Sequence, residues 1–289
     1  MRSPSVTIVL FLAIVAISTA AVLVRLVPEM HPIGIAMWRT GLVGVALLPA
    51  LFRQGSMPSN PRHTLGTLVA GFCLALHFWA WFGSLQHTTV MRSTVLVCLT
   101  PVWAGLLAWL AFKKPPSRRF WFGICVALLG VWLMSGPGGT ASQPVTFLGD
   151  GMAIAGGMLA GIYLTIGRSI RPHVDLAPYG ALLCMSCAAS LLIFGLLTGA
   201  PLAVVGDNAW WAILAMAIGP QFMGHIGFSY AVRFVPAYFI GAFVLLEPVG
   251  ATLLATVVLD EWPQPIEAVG AAIIALGVLG STIQRTSSD

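Results

Sequence analysis

One carboxylate lies deep inside a long apolar stretch of this sequence. The stretch runs from Val235 to Leu259, with Glu247 near its middle and directly before Pro248. As a helix it is long enough to cross a bilayer core of about 30 Å. An ionisable group in hydrocarbon costs several kcal/mol unless it faces a cavity or a partner, and a proline frees a backbone carbonyl that a polar interior can accommodate. The pattern predicts that Glu247 binds substrate or a proton beside a helix break at Pro248.

Arg39 is a second charged residue within an apolar segment. At about 1.5 Å per residue from the outer end of each segment, Arg39 lies about 11 Å deep and Glu247 about 17 Å deep. These levels are close enough for the arginine side chain to reach the carboxylate, which lowers the cost of burying both charges. We expect Arg39 at the same site. A static internal ion pair, or an Arg39 side chain that snorkels outward, is the structural alternative.

Two histidines also lie within apolar segments. His77 and Trp81 are four residues apart, as are Gln221 and His225, so each pair shares one face of a helix. Such pairs offer an imidazole with a stacking surface or an amide to a cavity, and histidine titrates near physiological pH. We interpret all four as candidate substrate- or proton-binding residues, with a buried, hydrogen-bonded histidine as the alternative.

A polar threonine and three aromatic residues complete the candidate site. Thr100 precedes a proline just as Glu247 does, and Trp103 follows it on nearly the same helix face. Tyr163 and Tyr230 lie toward the inner ends of their segments. An acid beside aromatic faces suits an organic cation or amino group. For any one of these rings, packing against lipid or at the membrane interface is the alternative.

Composition excludes a soluble domain. Hydrophobic residues make up 58% of the 289 residues and charged residues only 8%, with a mean hydropathy of +0.93, whereas soluble domains carry roughly 25% charged residues. The net charge of +5 comes from basic residues that flank apolar segments and form no stripe, so we predict no nucleic-acid partner.

The cysteines predict packing rather than chemistry. All five lie within apolar segments. Cys184 and Cys187 have the spacing of a redox or metal pair, but no polar or histidine context surrounds them. With no short-spaced metal-ligand pair and no nucleophile motif elsewhere in the sequence, we predict no metal, no cofactor and no catalytic residue.

Ten membrane-spanning helices are predicted, and the fold class is an all-α polytopic membrane protein. The first apolar segment also resembles a signal peptide, but nine further spans favour an uncleaved helix. Proline and glycine clusters separate the segments. The predicted spans are residues 5–24, 32–52, 64–85, 89–112, 119–135, 147–167, 176–198, 209–231, 235–259 and 265–283.

Lysine and arginine positions predict the orientation. With a cytoplasmic N-terminus, most of the 14 basic residues fall in cytoplasmic connections, which predicts an inner (plasma) membrane protein with both termini cytoplasmic. The basic residues on that side are Arg2, Arg53, Arg62, Lys113, Lys114, Arg118, Arg119, Arg168, Arg171, Arg233 and Arg285.

An internal repeat appears when residues 96–132 are aligned with residues 243–279. Thirteen of thirty-seven positions are identical without a gap, and Pro101 falls on Pro248. Two halves, residues 1–140 and residues 141–289, would then hold five spans each and insert in opposite directions. Inverted repeats of this kind build secondary transporters, with the binding site between the halves.

Glycines recur on single helix faces within this pattern. Two pairs are seven residues apart at matching places in the halves, and a third pair is four residues apart. Small residues at such spacings predict close helix packing. The glycines are Gly123, Gly130, Gly157, Gly161, Gly270 and Gly277.

The chain resembles the EamA-type drug/metabolite transporter (DMT) superfamily. The resemblance rests on ten spans in two halves, short loops, basic inner connections and Pro-Val at matching places in spans four and nine. It also rests on Leu259-Asp260-Glu261 followed by Gly270 and Gly277.

The resemblance covers almost the whole chain, most clearly residues 75–135 and 222–283. It implies a carrier for amino acids, other small metabolites, cationic compounds or drugs, often in exchange with protons or down a gradient. The Trp-Gly pair often found in the first span of the family is absent here, where residues 16–19 stand instead. Its counterpart in span six is replaced by residues 161–163.

The sequence thus predicts a secondary active transporter or exporter of a small polar or amphipathic metabolite, an amino acid or organic amine first among them. Alternating access, with or without proton coupling, is the expected mechanism, and the protein is expected to be a monomer or homodimer in the lipid bilayer. A multidrug or cation efflux carrier of the same fold is the main alternative. A passive channel, and a membrane enzyme with His77, His225 and Glu247 around a metal, are alternatives from other classes. No ligand pair or nucleophile motif supports the enzyme.

Overall fold

The computed structural model describes residues 4–53, 58, 60–88, 90–134, 146–260 and 262–282. In these ranges all regular structure is helical. A 3₁₀ turn, Leu48–Phe52, extends α2, and a π-helix, Ala217–Ile226, joins α9 to α10. The α-helices are α1 Pro4–Arg25, α2 Pro32–Leu47, α3 Pro61–Ser84, α4 Val90–Val97, α5 Thr100–Phe112, α6 Arg118–Met134, α7 Phe147–Ile170, α8 Leu176–Thr198, α9 Ala209–Met216, α10 Gly227–Ala231, α11 Ala237–Val244, α12 Glu247–Leu259 and α13 Pro265–Thr282.

The all-α polytopic prediction is confirmed. Within the described ranges, nine helical segments are long and apolar enough to cross a membrane. The remaining element, α6, has 17 residues and an apolar sequence. The predicted boundary between the halves, at residues 140 and 141, lies outside the described residues, as do Arg2 and Arg285.

Local chemistry accounts for where the helices begin and end. The side chain of Asn60 accepts a hydrogen bond from the Arg62 amide at 3.0 Å at the start of α3, and Thr146 caps α7 in the same way. Several helices carry a proline in their first turn, where the missing N–H costs nothing. The helices α5 and α12 both end on a left-handed residue, Lys113 with φ 55° and Asp260 with φ 56°.

The same local structure recurs at a constant interval. The bounds of α4 and α5 reappear 147 residues later as those of α11 and α12, including the two-residue interruption between each pair. The left-handed residues that end α5 and α12 are separated by the same interval.

The helices α6 and α13 pack through their glycines. A Cβ placed on Gly277 would lie 2.6 Å from the Gly123 carbonyl oxygen, and one on Gly130 would lie 2.6 Å from the Gly270 carbonyl oxygen. Because the earlier glycine of one helix meets the later glycine of the other, the two helices run antiparallel. Their backbones touch directly, which is the packing that small residues allow in a membrane.

The main core lies between the first five spans and the last five. Its buried residues come from both parts of the chain, among them Leu10, Phe78, Tyr163, Leu183 and Ile226. The helix α3 packs on α7 and α8, α2 packs on α8, and α1 packs on the π-helix and α12.

Close contacts of small residues position the interrupted helices. A Cβ on Gly157 would lie 2.7 Å from the Val97 carbonyl oxygen, and one on Gly161 would lie 3.0 Å from the Ala104 amide nitrogen, so α7 rests against the end of α4 and the start of α5. A Cβ on Gly241 would lie 2.9 Å from the Cα of Pro101. The fourth and ninth spans therefore touch where the fourth is interrupted.

Candidate functional site

Two interrupted helices form the framework of the site. Thr100 and Glu247 are the first residues of α5 and α12, and Pro101 and Pro248 follow them. Each interruption exposes a helix N-terminus inside a span, where the partial positive charge of the helix dipole favours an anionic group. A carboxylate in the first turn of α12 is stabilised by this dipole.

A side-chain hydroxyl bonds to a carbonyl of a neighbouring helix at each interruption. The Ser18 hydroxyl lies 3.2 Å from the Glu247 carbonyl oxygen, and the Thr100 hydroxyl lies 3.2 Å from the Gly157 carbonyl oxygen. Pro101 lacks the N–H that would bond to the Val97 carbonyl oxygen, and the Thr100 hydroxyl lies 2.9 Å from that oxygen as a replacement donor. Sequence analysis did not identify Ser18 as part of the site.

The Glu247 carboxylate is partly buried and surrounded by groups from other spans. Arg39, Cys98 and Tyr163 lie within electrostatic reach of it. Among the described residues, however, no hydrogen bond or ion pair within 4.0 Å engages this carboxylate. The internal Arg39–Glu247 ion pair that the sequence allowed is therefore not formed.

Arg39 is packed against an aromatic ring instead. Its guanidinium carbon lies 4.5 Å from the centroid of the Phe78 ring, and its side chain is 5% exposed. The Arg39 Nε is buried and lacks a hydrogen-bond partner. Cys184 and Cys187 of α8 are further groups within electrostatic reach of the guanidinium. Snorkelling toward the surface, the other alternative, does not occur.

Both histidine rings lie next to the Phe78 ring, His77 at 5.1 Å and His225 at 5.5 Å between centroids. His77 Nδ1 lies 2.9 Å from the Gly156 carbonyl oxygen, and since a carbonyl only accepts, this nitrogen carries the proton. In the neutral ring Nε2 is then the acceptor. His225 Nδ1 lies 3.2 Å from the Tyr163 hydroxyl, and the His225 ring meets Phe78 edge-on at 5.5 Å between centroids.

Gln221 and His225 are presented by the π-helix. Gln221 Nε2 donates to Cys184 Sγ at 3.6 Å, while Gln221 Oε1 is buried without a partner. π-Helical turns are frequent at functional sites. The sequence analysis missed this element, for which Pro220 inside an apolar run was the available signal.

The structure brings most of the predicted site residues together but leaves some apart. Arg39, His77 and His225 are electrostatic neighbours, and Tyr163 contacts His225 and lies within electrostatic reach of Glu247. Trp81 stacks on His77 with 6.1 Å between centroids. The indole nitrogens of Trp81 and Trp103 are buried without a partner.

Tyr230 does not join this group. Its ring packs at 5.2 Å on the ring of Phe234, a residue that follows the end of α10. Phe78, which the sequence analysis passed over, contacts both Arg39 and His225. No cluster of three or more potential metal ligands occurs in the part of the chain that the structure describes.

Curated relatives are transporters. The chain is 24% identical over 256 residues to the "Uncharacterized transporter YyaM" of Bacillus subtilis (strain 168), covering 86% of this chain and 83% of the relative. It is 29% identical over 87 residues to the "Probable 4-amino-4-deoxy-L-arabinose-phosphoundecaprenol flippase subunit ArnE" of Klebsiella pneumoniae (strain 342). That match covers 28% of this chain and 78% of the relative.

The fold also matches a solved crystal structure, with a TM-score of 0.82, 20% sequence identity and 96% coverage of both chains. The model of the EamA-like transporter family matches twice, over residues 5–136 and 147–283. The relatives named above are transporters rather than enzymes. This chain therefore belongs to the EamA-like transporter family, within the drug/metabolite transporter superfamily, and is a multi-pass membrane transporter.

Proposed function

We propose that this protein is a secondary active transporter that moves a small polar or amphipathic metabolite by alternating access between two inverted halves. The local structure that recurs after 147 residues and the antiparallel packing of α6 on α13 support the inverted arrangement. Transporters of this construction bind substrate between their repeats, beside interrupted helices. The candidate residues come from both sets of five spans, Arg39 from α2 and Glu247 from α12, which supports such a position for the site.

The proposal rests mainly on the position of the Glu247 carboxylate and on its lack of an ion-pair partner among the described residues. This carboxylate stands at the start of α12, within electrostatic reach of Arg39 from the second span. A buried charge held without a partner is costly unless a ligand or proton completes it. An amino acid or organic amine meets this need, because its ammonium group pairs with Glu247 and nearby aromatic rings attract cations.

A relative supports an amino-bearing substrate. The ArnE subunit is named as part of a flippase for an amino-deoxy sugar linked to a lipid. An amino group on the substrate of this chain could bind the Glu247 carboxylate. A multidrug or cation efflux carrier is the second candidate, favoured by the aromatic rings around His77 and His225.

Orientation and assembly belong to the same proposal. The bias of lysine and arginine positions supports an inner (plasma) membrane location with both termini cytoplasmic. Besides the bilayer, the expected partners are the small-molecule substrate and, where transport is proton-coupled, protons. The protein acts as a monomer or homodimer.

Uptake into proteoliposomes tests the role of Glu247. In Glu247→Gln we expect substrate uptake, its pH dependence, or both to be lost, because the amide cannot carry the charge that binds an ammonium group or a proton. Glu267→Gln is the matched control, since the Glu267 carboxylate accepts from the Gln264 amide at 2.7 Å at the start of α13. Transport and pH dependence that are both unchanged in Glu247→Gln would remove this role.

A further inference from the structure

The Arg39 guanidinium is a buried cation with unused donors. A guanidinium carries five N–H donors that lie in its own plane. In the part of the chain that the structure describes, no side chain or carbonyl accepts from Arg39, and its Nε is fully enclosed without a partner. Buried arginines normally pair with an acceptor, since an unpaired buried charge destabilises the protein by several kcal/mol. The missing acceptor is a requirement that a ligand can meet.

Phe78 holds this guanidinium without using its donors. The ring lies under the guanidinium carbon at 4.5 Å and is itself only 1% exposed. It is fixed by the His225 ring at 5.5 Å and by the Phe82 ring at 6.1 Å. A ring beneath the face of a guanidinium stabilises the charge through its π-electrons and leaves the in-plane N–H groups available.

The surroundings favour an acceptor from outside the protein. The other polar groups within electrostatic reach of Arg39 are the Glu247 carboxylate, which forms no ion pair with it within 4.0 Å, the thiols of Cys184 and Cys187, which are weak acceptors, and two imidazoles that repel a cation when protonated. Cys184 already accepts from Gln221. A planar carboxylate matches the guanidinium fork in shape and charge.

We propose that Phe78 is a positioning residue, which holds the Arg39 guanidinium so that its in-plane donors bind the carboxylate of the transported solute. This inference rests on the proposed function and narrows it, because it requires an acidic group on the substrate in addition to any amine that Glu247 binds. Phe78 sets the position of the arginine, and Arg39 makes the contact.

Paired ligands test the proposal on the purified full-length protein. Thermal shift is measured with L-phenylalanine and 2-phenylethylamine, L-leucine and 3-methylbutylamine, and L-lysine and cadaverine, so that each pair differs by one carboxylate. We expect at least one amino acid to raise the Tm more than its amine does, since a ligand that prefers the folded state stabilises it.

Variants then separate positioning from packing. For the amino acid that binds, Arg39→Gln should weaken the apparent Kd about tenfold to hundredfold, the effect of losing a hydrogen bond to a charged group. Phe78→Leu should weaken it about threefold to tenfold through the lost cation–π contact, whereas Phe78→Tyr retains binding. The affinity for the paired amine should change little. Phe72→Leu is the matched control, because Phe72 lies on the same helix but is 44% exposed and contacts Phe194.

Several outcomes would overturn the proposal. If no amino acid binds better than its amine, or if Phe78→Leu weakens both members of a pair equally, the carboxylate subsite is wrong. If Arg39→Gln weakens the amine of a pair as much as its amino acid, Arg39 acts through the protein's own Glu247 carboxylate instead. Binding of amines alone, abolished by Glu247→Gln, would discard this inference and keep the proposed function. Should Phe78→Leu fail to fold, Phe78→Tyr and Arg39→Gln still decide the matter through the paired ligands.

Discussion

Gly277 offers the sharpest test of how the helices are packed. A methyl group at this position would overlap the Ala127 amide nitrogen and would lie 2.6 Å from the Gly123 carbonyl oxygen and 2.8 Å from the Ala127 Cα. All three atoms belong to the backbone of α6, so no side chain can rotate away. Ordinary contact begins near 3.4 Å. In Gly277→Ala, α6 and α13 must therefore separate locally by about 1 Å.

The loss of folding stability in Gly277→Ala follows from this separation of the two helices. Overpacking of a well-packed interface costs about 1–3 kcal/mol, and a gap of about 1 Å removes roughly a quarter to a half of the dispersion energy of each stretched contact. Gly280 is the control on the same helix, since a Cβ there meets nothing within 4 Å. Both alanines gain the same helix propensity, about 1 kcal/mol, so the difference between the two variants isolates the cost of separation.

Thermal unfolding in detergent measures this difference. We expect the Tm of Gly277→Ala to fall below that of Gly280→Ala by several degrees, on the scale of roughly 2–4 °C per kcal/mol. Gly280→Ala should unfold at or slightly above the temperature of the parent protein. Equal melting temperatures for the two variants would refute the backbone contact between α6 and α13.

Three further predictions follow from single contacts. His77→Asn keeps a donor for the Gly156 carbonyl and should retain the parent Tm, whereas His77→Leu should lose about 1 kcal/mol of stability in the same measurement. Trp38→Phe removes the indole donor that bonds to the loop after α8 at 2.8 Å, which should cost about 0.5–1.5 kcal/mol and speed amide hydrogen exchange in that loop. Gly157→Ala places a methyl group 2.7 Å from a carbonyl of the fourth span and should reduce proteoliposome uptake, whereas Gly151→Ala, with nothing within 4 Å, should not.

For each of these predictions, one experimental result would contradict it. A destabilised His77→Asn protein would show that the ring itself, rather than its donor, matters. Unchanged exchange in Trp38→Phe would show that the loop is held by other contacts. Equal uptake by the two glycine variants would show that the interruption of the fourth span tolerates displacement.

The positions of the spans were available from the sequence alone. The predicted spans 32–52, 176–198 and 209–231 match the observed helical segments, and the other bounds differ by at most three residues. Apolar length and proline position decide these limits through local chemistry, because every backbone N–H and C=O in hydrocarbon must find a partner within its own helix. The interruptions before Pro101 and Pro248 follow from the same rule, since a proline removes one of those donors.

Which side chains meet across the helices was decided only by the tertiary structure. Arg39 packs on Phe78 rather than pairing with Glu247, Tyr230 lies apart from the cluster, and the π-helix that carries Gln221 left little trace in the sequence. Lipid tails solvate an apolar face as well as another helix does, so hydrophobic patterning does not distinguish inward from outward faces. Close approach of backbones at glycines selects the inward faces instead, and that selection depends on residues far apart in the sequence, such as Gly161 and Ala104 or Gly277 and Gly123.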